Sequence, residues 1–425
     1  MNWGMQAFQE HTAKTQSRTA ETMKTQILFV DDERNVLDGL QRMLRVFHDE
    51  WEMHFALSGP EALAIMAAKP IDIIVADMRM PEMNGAQLLT EVMRRHPGTI
   101  RIVLSGHAGQ DLIMRSVGVA HQYLSKPCDP ETFKSTVMRA TQLRALLDNA
   151  NLQRLVSELG TLPSPPMMYY ELADELRSPE ASIQKVAQIV SRDPAMTAKV
   201  LQLANSALFS RLREVSNPRE AVSYLGLERI QHLFLSLHAF SHFESAKWGG
   251  LSIDRVWEHS MATAALSKRI SESARADKWV TDASFTAGLL HDIGKLTLAS
   301  RLPNRYRKAA SRAQTNGVPQ WQAERELMGA SHAEVGAYLL ALWGIPNPIV
   351  EAVAFHHHPS QSLGRTISPV TMVHVANALD HAREAGNVES VPGLDGEYLA
   401  RLALTDNVGI WQRQSRELFQ QGVPE

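Results

Sequence analysis

Three aspartates have the residue type and the placement to handle phosphorus. Asp31 and Asp32 close the apolar run Ile27-Leu28-Phe29-Val30, and Asp77 closes another running from Ile71 to Ala76. Ser105 and Lys126 end two further apolar runs. Carboxylates that converge on one point repel unless a cation joins them, and a hard divalent ion such as Mg²⁺ suits an all-oxygen cluster. A carboxylate held beside such an ion can attack phosphorus and form an acyl phosphate. The ion, a lysine and a hydroxyl then carry the charge on the phosphoryl oxygens.

A second set of chemically able residues lies in the other half of the chain. His259, the adjacent pair His291-Asp292, His332 and the run His356-His357-His358 offer imidazole and carboxylate donors, the ligand types of Fe, Mn²⁺ and Zn²⁺. Adjacent His and Asp on one helix can reach two neighbouring ions, and a metal pair can direct water onto a phosphate ester. Lys295, one turn beyond Asp292, is placed to contact a phosphate.

The elements that must position these groups follow from hydrophobic periodicity. Up to about residue 145, short β-rich runs (Ile27–Val30, Met53–Leu57, Ile71–Ala76, Ile100–Leu104, Gln122–Leu124) alternate with amphipathic segments. The latter run from Val36 to Leu44, Pro60 to Ala68, Ala86 to Arg95 and Asp111 to Val117. This alternation predicts a parallel sheet covered on both faces, with functional groups at the carboxyl ends of the strands. The acidic residues, Ser105 and Lys126 fall at those ends. The segments FVDDE, ADMRMPEMNG, VLSG and YLSKP resemble, in order and spacing, the response-regulator receiver domain, a flavodoxin-like (βα)5 fold. The resemblance implies Asp77 as phosphoacceptor and Asp31 and Asp32 as its Mg²⁺-binding acidic pocket. It also implies Ser105 as switch hydroxyl, Lys126 as phosphate contact, Tyr123 as the aromatic that turns inward, and a cis Lys126-Pro127 bond.

From Pro130 a helical pattern continues through Leu143, Leu147, Leu152 and Leu159, which reads as a linker helix or, alternatively, as a hinge near Asn149 to Asn151. Beyond it strand signals vanish, and Pro and Gly punctuate an all-α pattern. LPSPP, SRDPAMTAKVLQLANSALF, AVSYLGLERI, GLLHDIGKL, GASHAEVGAYLLALWGIP and HHHP resemble the HDOD branch of the HD metal-dependent phosphohydrolase superfamily. That likeness implies His259, His291, Asp292, His332, His356 and His357 as a metal site for an Fe, Mn or Zn pair. Two departures stand out. Asn377 lies where the superfamily has an Asp, with Asp380 one turn on as a substitute, and the Gly-Tyr-Pro signature of the HD-GYP cousins is absent. His358 reads as a bystander, His232, His238 and His242 take no role, and Trp257 and Trp343 read as core.

The expected organisation is a disordered leader (1–24), a receiver domain (25–145), a linker helix (146–160), an all-α HDOD domain (161–360) and a C-terminal helical extension (361–425). With 425 residues, 44% hydrophobic and 21% charged, the chain has the composition of a globular multidomain protein. A net charge of -3 and the lack of a basic run argue against nucleic-acid binding. Cys128, the single cysteine, cannot form an intramolecular disulfide, and no apolar stretch approaches the roughly 20 residues of a membrane span. Cytoplasm is the expected location. The primary reading is a two-component response regulator, phosphorylated on Asp77 by a sensor histidine kinase and controlling an HDOD output domain. Its expected associations are a downstream protein partner and, as the receiver resemblance implies, a homodimer. The alternative is a phosphorylation-gated metal phosphodiesterase working through His259, His291 and Asp292.

Overall fold

The structure is a computed structural model. It describes residues 24–106, 119–142, 150–157, 166–178, 180–206, 214–236, 251–362, 364, 366–386 and 391–420. The expected leader (up to 23), the helix expected over Asp111 to Val117, both ends of the expected linker (146–149 and 158–160), His238 and His242 lie outside the described residues.

Five parallel strands form the first layer: β1 (Thr25–Val30), β2 (Trp51–Ala56), β3 (Ile73–Asp77), β4 (Ile100–Ser105) and β5 (Gln122–Ser125), in the order β2-β1-β3-β4-β5. β3 and β4 are buried at every position, as continuous apolar runs in a sheet covered on both faces must be. The covering helices are α1 (Arg34–Leu44), α2 (Gly59–Ala68), α3 (Gly85–Arg95) and α4 (Pro130–Gln142). Ser58 caps α2 by accepting from Glu61 N, and Asn84 and Gln87 form a capping box on α3. Gly85 has a steric reason: a Cβ there would stand 2.2 Å from the carbonyl oxygen of Asp77. This is the flavodoxin-like topology expected, and the Lys126-Pro127 bond is cis.

The rest is helical: α5 (Ala150–Ser157), α6 (Pro166–Arg177), α7 (Ile183–Ser191), α8 (Pro194–Ala204), α9 (Pro218–Leu225), α10 (Leu227–Ser236), α11 (Ile253–Ser273) and α12 (Lys278–Leu290), followed by α13 (Ile293–Arg301), α14 (Pro303–Asn316), α15 (Gln320–Met328), α16 (His332–Leu342), α17 (Asn347–Phe355), α18 (Pro369–Glu384), α19 (Gly396–Arg401) and α20 (Val408–Gln420). The long α11 packs along α12 and α18, and α16 lies between α13 and α17. Backbones touch where α13 crosses α16. A Cβ on Gly294 would fall 1.9 Å from His332 O, so only glycine allows that approach. Helix α18, set apart by the sequence reading as part of a C-terminal extension, packs on α11, α12 and α17 and joins the helical core. Trp411 on α20 is buried as well.

A polar seam joins the two layers at the amino ends of β4 and β5, opposite the edge that carries Asp77. The Arg101 guanidinium, fully buried, donates to Val119 O (2.6 Å), Thr99 O (3.1 Å) and Ser157 O at the end of α5 (2.5 Å). His121 Nδ1 accepts from Arg101 N, and its Nε2 lies 2.9 Å from Arg101 Nη2 and 3.0 Å from Ser157 O. Gln202 on α8 donates to His121 O at 2.9 Å, and its Oε1 accepts from Lys199. The Lys199 ammonium stands 4.0 Å from the centroid of Trp343, at the end of α16. Helix α16 also contacts α4 and α5 directly. Burial holds Lys199 down to about 7 and His121 well below the usual histidine value, with Arg101 adding to the shift of His121.

Candidate functional site

At the carboxyl edge of the sheet, β1, β3 and the turn after β5 bring together Asp31, Asp77 and Lys126. The Lys126 ammonium lies 2.5 Å from Asp31 Oδ2 and 2.5 Å from Asp77 Oδ1. Backbone amides hold the remaining oxygens: Glu33 N donates to Asp31 Oδ1 (3.0 Å) and Arg79 N to Asp77 Oδ2 (2.5 Å). Asp32 is exposed beside them, while Ser105 and Tyr123 are buried. Burial raises the Asp31 carboxyl despite the lysine. Burial pulls Lys126 down, but its bonds to Asp31 and Asp77 outweigh that and raise it. Two buried aspartates sharing one ammonium, with Asp32 next to Asp31 in the chain, leave net negative charge at this edge, and their carboxylate oxygens are the donor type that fits Mg²⁺. Of the sequence-expected residues, Asp31, Asp77 and Lys126 meet directly. Tyr123, expected to turn inward, is already inside at 1% exposure.

The second site lies where α11, α12, α16, α17 and α18 meet. His259 projects from α11, while His291 and Asp292 follow the end of α12. His332 opens α16, and His356 and His357 follow α17. Two largely buried groups of donor atoms cluster, His259, His291 and Asp292 in the first and His332, His356 and His357 in the second, and His259 also gathers with His381 and Glu384 nearer the surface. Within the first, His291 Nε2 is 3.1 Å from His259 Nε2, and Asn377 Oδ1 is 3.0 Å from that same nitrogen. Within the second, His357 Nε2 is 3.0 Å from His332 Nε2. The Asp292 carboxylate sits between them, with Oδ2 3.5 Å from His291 Nε2 and Oδ1 3.2 Å from His332 Nε2.

The far sides of the rings are engaged. His259 Nδ1 meets Asp380 Oδ2 (2.7 Å), His291 Nδ1 meets Gly288 O (2.7 Å), His332 Nδ1 meets Glu324 Oε2 (2.6 Å) and His356 Nδ1 meets Val353 O (2.8 Å). Each Nδ1 thereby acts as a donor, which leaves Nε2 with its lone pair toward the centre. Metal-ligating histidines are held in this way. Two nitrogens bound to an ion at about 2.1 Å stand roughly 3.0 to 3.4 Å apart, the spacing found here. Asp292 Oδ1 and His356 Nε2 are buried yet make no hydrogen bond of ordinary geometry. The residues thus fit a pair of borderline divalent ions.

Burial lowers His291 to about 3 and His356 and His357 well below the usual range, so these rings are neutral, as ligands must be. Burial would raise Asp292, but His291, Lys295 and His332 hold it well down. Burial would lower His332, but Glu324 overrides it and lifts it to about 9. Lys295 donates to Asp292 Oδ2 at 2.5 Å. Without an ion His332 therefore carries a second proton, on Nε2 beside Asp292, and an ion bound at that nitrogen would displace it.

Most sequence-expected residues meet here, with corrections. Asp380 does not replace Asn377 as a donor toward the centre; it stands behind His259, and Asn377 itself faces inward. Lys295 is engaged by Asp292 rather than free for a phosphate. Trp343 is buried as expected, whereas Trp257 is only half-buried. His358 lies outside both groups, against Trp321. Three residues had no place in the sequence reading: Glu324, His381, stacked on His259 at 4.5 Å, and His374, which bridges His356 O and Asp395 N. Among the described residues no helix is long and apolar enough to cross a membrane.

Comparison with known proteins places two families on the chain. The response regulator receiver domain matches residues 27–138, and the HDOD domain matches residues 162–359. A protein of Treponema pallidum is 24% identical over 204 residues, 48% of this chain and 39% of its own length. The hydrogenase transcriptional regulatory protein HoxA of Cupriavidus necator is 29% identical over 218 residues, 47% of this chain and 44% of its own length. The chain thus spans less than half of these curated relatives. Among solved structures, the MmoQ response regulator of Methylococcus capsulatus is similar with 24% identity and a TM-score of 0.47, covering 59% of this chain and 98% of that one.

Proposed function

As the chain belongs to the response regulators, with a receiver domain joined to an HDOD domain, we propose that phosphorylation of Asp77 sets the state of the histidine-lined centre and of the surface around it. A sensor histidine kinase in the cytoplasm supplies the phosphoryl group. Asp77 attacks phosphorus through a carboxylate oxygen, and the phosphoramidate bond to the donor histidine breaks. Asp31, Asp32 and Asp77 would hold a Mg²⁺ ion, whose charge would offset that on the phosphoryl oxygens. Lys126 turns from the carboxylates to a phosphoryl oxygen, and Ser105 donates its hydroxyl to another.

One observation carries this reading: α16 touches both domains. His332 begins it inside the centre, and Trp343 ends it in the seam against Lys199. Its 11 residues make a rod of about 16 Å. Strands β4 and β5 carry Ser105 and Lys126 near one end and Arg101 and His121 near the other. A shift of those strands on phosphorylation reaches α16 through Ser157, Gln202 and Lys199. Hydrogen exchange with and without beryllofluoride, a phosphoryl mimic, tests it: protection across 332–344 changes in the wild type and stays fixed in Asp77→Asn. Exchange that is identical in the wild type with and without the mimic rules the reading out.

A second reading is favoured by Asp292, whose two oxygens face the two donor groups. A metal pair there would supply the positive charge that polarises a phosphodiester. Residue by residue, Asp292 would be shared between the two positions and Lys295 would pass from it to a substrate oxygen. Turnover of bis(p-nitrophenyl) phosphate with Mn²⁺, absent from His291→Ala/Asp292→Ala, would support hydrolysis. Equal rates in both proteins would remove it.

A further inference from the structure

Four of the five rings in the two donor groups divide by what holds them from behind. His291 and His356 each donate to a carbonyl three residues earlier, as the end of a helix allows. His259 and His332 donate instead to carboxylates, Asp380 and Glu324. Each donor group therefore contains one carboxylate-backed imidazole. Glu324, fully buried on α15, has its oxygens committed around this ring: it accepts from His332 Nδ1 (2.6 Å), His332 N (2.8 Å) and Gln320 Nε2 (2.9 Å). Asp380, also fully buried, accepts from His259 Nδ1 through one oxygen and from Arg383 Nε through the other.

Charge explains why the pattern matters. Asp292 is the one carboxylate between the groups, it is shared by both, and Lys295 already binds it. The remaining inward oxygen is the neutral amide of Asn377. A divalent ion in either position would have no carboxylate to itself. An anion behind an imidazole makes that ring a stronger donor and fixes its orientation without occupying a coordination position. We propose that Glu324 and Asp380 are positioning residues, one for each of two metal positions, which supply from behind His332 and His259 the negative charge that Asn377 does not. This rests on the metal reading of the centre given above.

The test titrates metal-stripped full-length protein with Mn²⁺ or Zn²⁺ alone by calorimetry and counts bound ions by mass spectrometry. Glu324→Gln keeps an acceptor for His332 but loses the charge. It should weaken one of two sites by roughly 10- to 100-fold and spare the other. Asp380→Asn should weaken the other site. Adding Asn377→Asp should restore affinity to Asp380→Asn and leave the Glu324→Gln defect unrepaired, a cross-over that general loosening would not produce. Circular dichroism of the metal-free variants checks folding; should Glu324→Gln fail to fold, Asp380→Asn with its Asn377→Asp rescue decides the question. Two ions held at wild-type affinity by both variants overturn the inference and leave the metal reading standing. No ion bound by the wild type overturns both.

Discussion

At the receiver's sheet edge one lysine is shared by two buried aspartates while a third stands in solvent; in the helical domain four imidazoles are each fastened from behind before any ligand arrives. The first arrangement leaves a carboxylate open to attack and a cation free to change partners, as a group that comes and goes requires. The second fixes its donors in advance, which lowers the ordering cost of holding an ion. Side-chain exposure follows the same division: Lys126 is 23% exposed, His291 0%.

The comparison breaks most completely at Asp77. Asp77→Asn should form no acyl phosphate from acetyl phosphate, read by intact mass; a modified variant would move the acceptor to another aspartate. Next in size, His291→Ala/Asp292→Ala should lose metal by more than the roughly 10- to 100-fold typical of an outer partner. Mass spectrometry of protein purified without chelators reads this, and equal metal in both proteins would leave the histidines as scaffold. Packing comes third. Gly294→Ala forces a Cβ against His332 O and should cost about 3 kcal/mol in denaturant unfolding. Gly39→Ala, within α1 with nothing near, should stabilise by about 0.5 to 1 kcal/mol. The last effect, at the seam, is read as a dependence on pH. Folded Lys199 titrates near 7 against an ordinary 10.5, so between those values the unfolded chain holds a proton that the folded one has released. Stability should therefore rise with pH from 7 toward 10 and not below 7, with a slope of at most about 1.4 kcal/mol per unit. Lys199→Met should abolish that rise relative to wild type in urea melts at several pH values.

Much of this was legible in the sequence because it is local. Apolar runs ending in Asp31, Asp77 and Ser105 state both a strand and its functional end. The pair His291-Asp292 and the run His356-His357 state donors on a helix end. What was not legible depends on partners distant in the chain. Asp380 lies on a helical face one turn from Asn377, and spacing alone cannot tell an inward donor from a residue behind a ring 121 positions away. Glu324 in QAERELMG reads as one of several surface acids, and only its burial beside His332 singles it out. Lys199 and Gln202 went unread for the same reason: two polar residues three apart look like a solvated helix face until α8 is seen to be buried at every position, where they must find each other or a neighbouring domain.

Helix α16, with one end in the centre and the other in the seam, carries a consequence of its own. An equilibrium biased from both ends obeys reciprocity. If a phosphoryl group on Asp77 alters the affinity of His332 and its neighbours for an ion by some factor, then a bound ion alters the equilibrium constant for phosphorylating Asp77 by that same factor. The chain would then report the joint presence of two inputs, and its phosphorylated fraction at equilibrium would depend on metal supply as well as on the phosphoryl donor.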